Sequence, residues 1–220
     1  MESNNRELKV TPTDFKKICT FIPMKGKIHF LAILLFFATT PDKMQAQKLQ
    51  IISEYVAFQL NPDTTVMASG MFVFKNSATL QSQYPIFYPV QKDDVMGDVL
   101  EYKVKGDVEL VQLTNEGIAF NYKIAPDVIN HFWLTYKQKM MTDTATYFFS
   151  SSGYWQNALK EFQFTLILPE NWDLLESTFS YDETWTDLGK TYYRTIRNNY
   201  NPPDIFTVVY RRPPPIYFGH

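Results

Sequence analysis

From Lys48 onward the apolar residues of this chain recur at every second position. Ile118, Phe120, Tyr122 and Ile124 alternate with Ala119, Asn121 and Lys123, and Phe162, Phe164, Leu166 and Leu168 alternate with Gln163, Thr165 and Ile167. Successive side chains of a strand point to opposite faces, so this spacing sets one face on a core and the other toward water. Similar runs occupy 52–60, 66–74, 108–113, 132–136, 147–149, 191–196 and 205–210, which predicts about nine strands.

The segments between the runs suit antiparallel connections. Asn61-Pro62-Asp63 and Asn115-Glu116-Gly117 separate alternating runs at hairpin distance, and Asn and Gly supply backbone conformations that other residues resist. Long amphipathic helical stripes are missing. The best helical candidates, 92–100 and 154–159, are short enough to be turns. The expected fold is all-β, an antiparallel two-sheet β-sandwich.

Ahead of the strands lies a pattern of another kind. Met24-Lys25-Gly26-Lys27 precedes an apolar run, Ile28 to Ala38, which is followed by Met44-Gln45-Ala46 before Gln47. A basic end, an apolar middle and a small residue at the cut are the three parts of a secretory signal peptide. The apolar run falls well short of the roughly 20 residues that cross a bilayer, and Pro41 ends it, so no integral membrane span is expected. Residues 1–23 then read as an extended leader or as sequence ahead of the true start, 24–46 as the cleavable signal, and 47–220 as the β-sandwich domain.

Cleavage after Ala46 changes the chemistry available. The single cysteine, Cys19, is lost, and with it any disulfide, thiol nucleophile, thiolate metal site or lipid-carrying cysteine. The remainder has 14 basic against 19 acidic residues, a formal charge of minus five, which argues against nucleic acid or an anionic membrane surface as partner. Stability must come from an aromatic-rich core, for which the whole chain carries 18 Phe, 14 Tyr and 4 Trp. Pro202-Pro203 and Pro213-Pro214-Pro215 read as local stiff segments that protect strand edges.

Catalytic groups are few. His131 and the terminal His220 are the histidines left after cleavage, and His131, beside Phe132 and Trp133, reads as structural because no nucleophile elbow accompanies it. Ser150-Ser151-Ser152-Gly153 reads as a loop. Asp93, Asp94 and Asp98, or Asp182, Glu183 and Asp187, could offer oxygen ligands to calcium, yet neither group has the spacing of a calcium loop, so they read as solvated turn charges. No catalytic residue, metal or cofactor is assigned. A carboxylate pair for glycoside hydrolysis is a distant third reading.

Tryptophans offer the other kind of site. Trp155 and Trp172 sit in turn-like settings and, with Trp185, could form flat platforms for glycan; the competing reading is that each plugs one end of the core.

One set of residues resembles a known group. Gly70 to Asn76, Tyr136-Lys137-Gln138, Ala145-Thr146-Tyr147, Trp155 and Phe162 to Pro169 together look like exported bacterial β-sandwich domains of unknown function, over about half of the expected mature chain. The resemblance implies a fold and no activity. The expectation is an exported, non-enzymatic structural or interaction module of the cell envelope, with an envelope protein as partner, or a glycan through Trp155, Trp172 and Trp185.

Overall fold

The computed structural model describes residues 49–149 and 158–214. The expected leader at 1–23, the expected export signal at 24–46, Ser150 to Gly153, Trp155, most of the 154–159 segment and His220 lie outside the described residues.

Every regular element among the described residues is a strand. The first seven are β1 (Leu49–Asn61), β2 (Thr65–Asn76), β3 (Ser82–Pro89), β4 (Met96–Lys105), β5 (Val108–Leu113), β6 (Gly117–Ile124) and β7 (Ile129–Met140). After them come β8 (Thr144–Phe148), β9 (Leu159–Pro169), β10 (Asp173–Ser177), β11 (Glu183–Asp187), β12 (Lys190–Tyr200) and β13 (Ile205–Arg211). A seven-stranded sheet has the order β11-β12-β9-β1-β2-β7-β4, and β10-β13-β8 and β3-β6-β5 form three-stranded sheets. All ladders are antiparallel except β1 with β9, which runs parallel from Ser53 opposite Glu161 to Gln59 opposite Ile167.

Alternation sets the layers. Val56, Phe58 and Leu60 of β1, Phe72 and Phe74 of β2, Phe132, Leu134 and Tyr136 of β7, and Phe162, Phe164 and Leu166 of β9 are buried on one face of the large sheet. Both small sheets pack against that face. Phe58 meets Tyr147 of β8 at 5.6 Å and Phe206 of β13 at 5.8 Å, Phe164 meets Phe206 at 4.4 Å, and Phe132 meets Phe120 of β6 at 4.9 Å. The Phe164–Phe206 rings are tilted and the other three pairs edge-to-face, and such contacts add about 0.5–1.5 kcal/mol each to the burial of the rings.

Chain order and sheet membership coincide. Residues up to Met140 supply β1, β2, β7 and β4 of the large sheet together with the whole β3-β6-β5 sheet, and residues from Thr144 supply β9, β12 and β11 together with the whole β10-β13-β8 sheet. The two groups join along the β1/β9 ladder. They join again between the small sheets, where the Tyr88 hydroxyl on β3 donates to the Tyr147 hydroxyl on β8.

Local sequence explains several connections. The β1–β2 turn is closed by Thr64 N–H donating to the Asn61 carbonyl at 3.2 Å and by the Thr65 hydroxyl donating to the Asp63 carboxylate at 2.5 Å. At the start of β6, a Cβ on Gly117 would overlap the Tyr88 carbonyl oxygen, so the close approach of β3 needs glycine there.

The expected number of strands and sheets is corrected, and the first of the two short helical candidates takes its alternative reading as a turn. About nine strands in two sheets become thirteen in three. β10 and β11 are only five residues long and mostly exposed, so they carry little alternation. β3 contains Pro85 and Pro89, which a central strand would reject; β3 lies at a sheet edge, where a missing N–H costs no ladder bond. The 92–100 segment forms no helix. The Asp93 carboxylate accepts from the N–H groups of Val95 at 2.7 Å and Met96 at 2.8 Å, which turns the chain directly into β4. No helix among the described residues is long and apolar enough to cross a membrane.

Candidate functional site

With one phase of each strand on the core, the opposite phase of the seven-stranded sheet forms an outer face, and no described strand packs on it. Register aligns its side chains in rows that cross the strands. One row runs Ile196, Gln163, Tyr55, Met71, Trp133 and Lys105. The next runs Arg194, Thr165, Ala57, Ser69, Thr135 and Lys103, and a third runs Tyr192, Ile167, Gln59, Met67 and Lys137.

The middle row is small where its neighbours are large. Thr165, Ala57, Ser69 and Thr135 therefore floor a shallow trough walled by Tyr55, Met71 and Trp133 on one side and Ile167, Gln59 and Met67 on the other. Neighbouring strands are about 4.8 Å apart, so four floor residues extend over roughly 14 Å. The Ser69 and Thr135 hydroxyls lie 3.2 Å from each other in that floor.

At the β4 end the trough opens into a hollow lined by Lys103, Lys105, Trp133 and Thr135. Trp133 is 44% exposed, and no other ring or guanidinium lies on it among the described residues. Neither Lys103 nor Lys105 is held in an ion pair among the described residues. Lys137, one row away, is bound by Asp63 at 3.0 Å; the hydrogen bond from Thr65 first, and then Lys137, hold the Asp63 carboxyl below its usual range. Farther along the face the Tyr55 hydroxyl donates to Glu161 at 2.8 Å. Burial first, and then that carboxylate, push the Tyr55 phenol up.

The three tryptophans named from sequence have different fates. Trp172 is buried, 6% exposed, and stacks on Tyr210 of β13 with ring centroids 4.7 Å apart and planes 8° apart. It plugs the core and offers no platform. Trp185 is 38% exposed on the outer face, but Tyr192 stacks on its ring at 4.9 Å and Arg194 stands 5.1 Å over it while pairing with Glu183. Much of its ring surface is thus taken within the protein. Trp155 lies outside the described residues.

The remaining candidates are also placed. His131 stands exposed on the outer face of β7, opposite Val73. Asp98 pairs with Lys92 at 2.5 Å, while Asp182 accepts from Ile196 N–H at 2.8 Å and from Arg197 at 2.5 Å. Among the described residues no three acidic or histidine side chains converge on a point that could hold a metal.

The interior carries its own polar group. Glu54, fully buried, faces the core from the same phase as Val56 and Phe58 and acts electrostatically on Tyr88 and Tyr147. Burial pushes the phenols of Tyr88, Tyr136 and Tyr147 well up, and the Glu54 charge adds to the first and last. Burial likewise takes Tyr181 and Tyr210 to about 12.

Trp133 and Tyr55 were missed by reading the turns. Their signal is phase: Trp133 breaks the apolar alternation Phe132, Leu134, Tyr136, and Tyr55 breaks Val56, Phe58, Leu60, so each places a large ring on the face meant for water.

No family model matches the sequence, and no curated protein matches it. A solved structure shares the fold. A proposed nutrient binding protein from Legionella pneumophila superposes with a TM-score of 0.57 over 74% of this chain and 67% of that one, at 11% identity. An M1 zinc metallopeptidase from Deinococcus radiodurans gives a TM-score of 0.49 over 74% of this chain, at 8% identity; the chain spans 42% of its length. At 11% identity the Legionella likeness concerns the path of the chain and not its chemistry.

Proposed function

We propose that the chain is an exported, non-enzymatic binding module of the bacterial cell envelope. In this reading it is a β-sandwich whose two small sheets together act as the second layer, and it takes a sugar chain as ligand on the outer face of its seven-stranded sheet. The observation that carries the reading is Trp133: a half-exposed indole at the end of a trough floored by small and hydroxyl-bearing residues, with its ring free for a pyranose to stack on. Ser69 and Thr135 add hydroxyls to that floor for hydrogen bonds to sugar. The Legionella structure, described as binding nutrients, is compatible with such a role and lends it only a fold.

Export rests on the basic, apolar and small-residue pattern of 24–46. Fractionation with intact-mass measurement tests it: a mature chain beginning near Gln47 is expected, and one that retains Met24 or anything ahead of it overturns the address.

The binding role is tested by screening the purified protein on a glycan array beside Ser69→Arg and Ala57→Arg. Each substitution fills the trough with a long side chain on the solvent side. Loss of sugar binding with unchanged thermal unfolding is the expected outcome, and binding that survives both substitutions would place the ligand elsewhere.

A protein partner is the second reading, and one observation favours it. Tyr55, Met71, Met67, Ile167 and Ile196 give the same face an apolar share that a protein surface could cover. Capture of one envelope protein by the wild type and not by Ser69→Arg, with silence on the glycan array, would favour it.

A further inference from the structure

We infer that the sugar bound at Trp133 is acidic, and that Lys103 and Lys105 select for its carboxylate. This rests on the outer-face reading above and names the ligand class for it.

Lys105 is the direct cross-strand neighbour of Trp133, and Lys103 that of Thr135, so both ammonium groups originate beside one free ring and on the same face of the sheet. Neither lysine has a carboxylate partner among the described residues, in contrast to Lys92, Lys123 and Lys137, each of which is paired with an aspartate or glutamate. A cation left unpaired beside an aromatic platform suits a ligand with a flat apolar face and a negative group at its edge. A pyranose ring bearing a carboxylate has both: the ring lies on the indole, and the carboxylate accepts from the ammonium groups.

The same face argues against nucleic acid, whose bases would need successive free rings. Beyond Trp133 the row offers Met71 and then Tyr55, whose hydroxyl is given to Glu161. An acidic peptide adding to the edge of β4 would pair with backbone in the plane of the sheet, whereas the hollow is lined by side chains standing out of that plane.

The test is a binding titration of the full chain with an oligogalacturonate, with its methyl ester, with a neutral β-glucan oligosaccharide and with a single-stranded DNA oligonucleotide. Variants are Lys103→Gln, Lys105→Gln, the pair, Trp133→Ala and Ser69→Arg, all on or near the surface. Binding of the oligogalacturonate, weakened roughly tenfold or more by the paired lysine substitution and by esterification, and falling as salt is raised, is the expected result. Equal affinity for acid and ester, or indifference to both lysines, overturns the inference. If a neutral sugar then binds through Trp133, the outer-face reading stands without the acidic ligand; if no sugar responds to Trp133→Ala or Ser69→Arg, both readings fall. Tighter binding of the DNA than of the acidic sugar also overturns it.

Discussion

The Tyr88 hydroxyl donates to the Tyr147 hydroxyl inside the protein, bridging two three-stranded sheets that share no ladder. The pair is buried, and the Tyr88 hydroxyl also reaches the Phe148 carbonyl at 3.4 Å. With no ladder between the two sheets, this contact depends on the tyrosine side chains.

Removing either hydroxyl should therefore be felt. Tyr88→Phe or Tyr147→Phe is expected to cost about 1–2 kcal/mol, because the remaining hydroxyl loses a partner away from water. The double variant should cost less than the sum of the two. Urea unfolding of the four proteins in the cycle measures this, and strict additivity would show that the bond contributes nothing.

Alkali should act through the same residues. The folded state holds Tyr88, Tyr136 and Tyr147 neutral well beyond their ordinary value of 10.0, so below pH 10 their phenols are protonated in both states and give no pH dependence. Above it the unfolded chain releases protons first. Stability should then fall by up to about 1.4 kcal/mol per pH unit for each of the three. Phenolate absorbance that rises only together with unfolding is the expected signature, and early titration of all tyrosines would contradict the burial.

The tryptophans should separate by depth. Trp172→Ala removes a ring stacked on Tyr210 and is expected to cost about 3–5 kcal/mol. Trp133→Ala, on the outer face, should change stability by no more than about 0.5 kcal/mol. Trp185→Ala should fall between them at about 1 kcal/mol, since it loses the Tyr192 stack and the Arg194 contact. Thermal unfolding of the three variants ranks them directly.

The β11–β12 hairpin can be improved. Leu188 and Gly189 form its tip with φ of 49° and 72°, and Leu188, 89% exposed, has no packing to compensate a conformation that disfavours its Cβ. Two positive φ values in a two-residue tip suit Asn-Gly. Leu188→Asn is expected to stabilise the protein by about 1 kcal/mol, read as a rise in unfolding midpoint, and a fall would mean that the leucine makes a contact worth more than the strain.

Much of the fold was legible because buried strands advertise themselves. Phe162, Phe164, Leu166 and Leu168 can face a core only in an extended chain, and β9 lies where they predict it. The elements that escaped lack such a reason. Trp185 and its neighbours on β11 are exposed on both sides, β3 carries prolines, and β4 has one buried residue, Met96, in ten. The division of the second layer into two sheets was hidden too, since alternation reports that a strand is half-buried and not which strand lies beside it. The outer-face site was readable in principle, because Trp133 and Tyr55 are rings in the polar phase of their own strands. Their assembly with Lys103 and Lys105 was not, as it depends on pairing across strands distant in sequence.

The coincidence of chain order with sheet membership makes the domain resemble a heterodimer whose subunits share one polypeptide. Each supplies a complete small sheet and its own strands of the large one, and their interface is the β1/β9 ladder, the ring of Phe58 and the tyrosine pair. The link between β7 and β8, Met141 to Asp143, then serves as a tether that keeps two partners at high effective concentration. A backbone break placed there would leave each partner with its complete small sheet and its own strands of the large one.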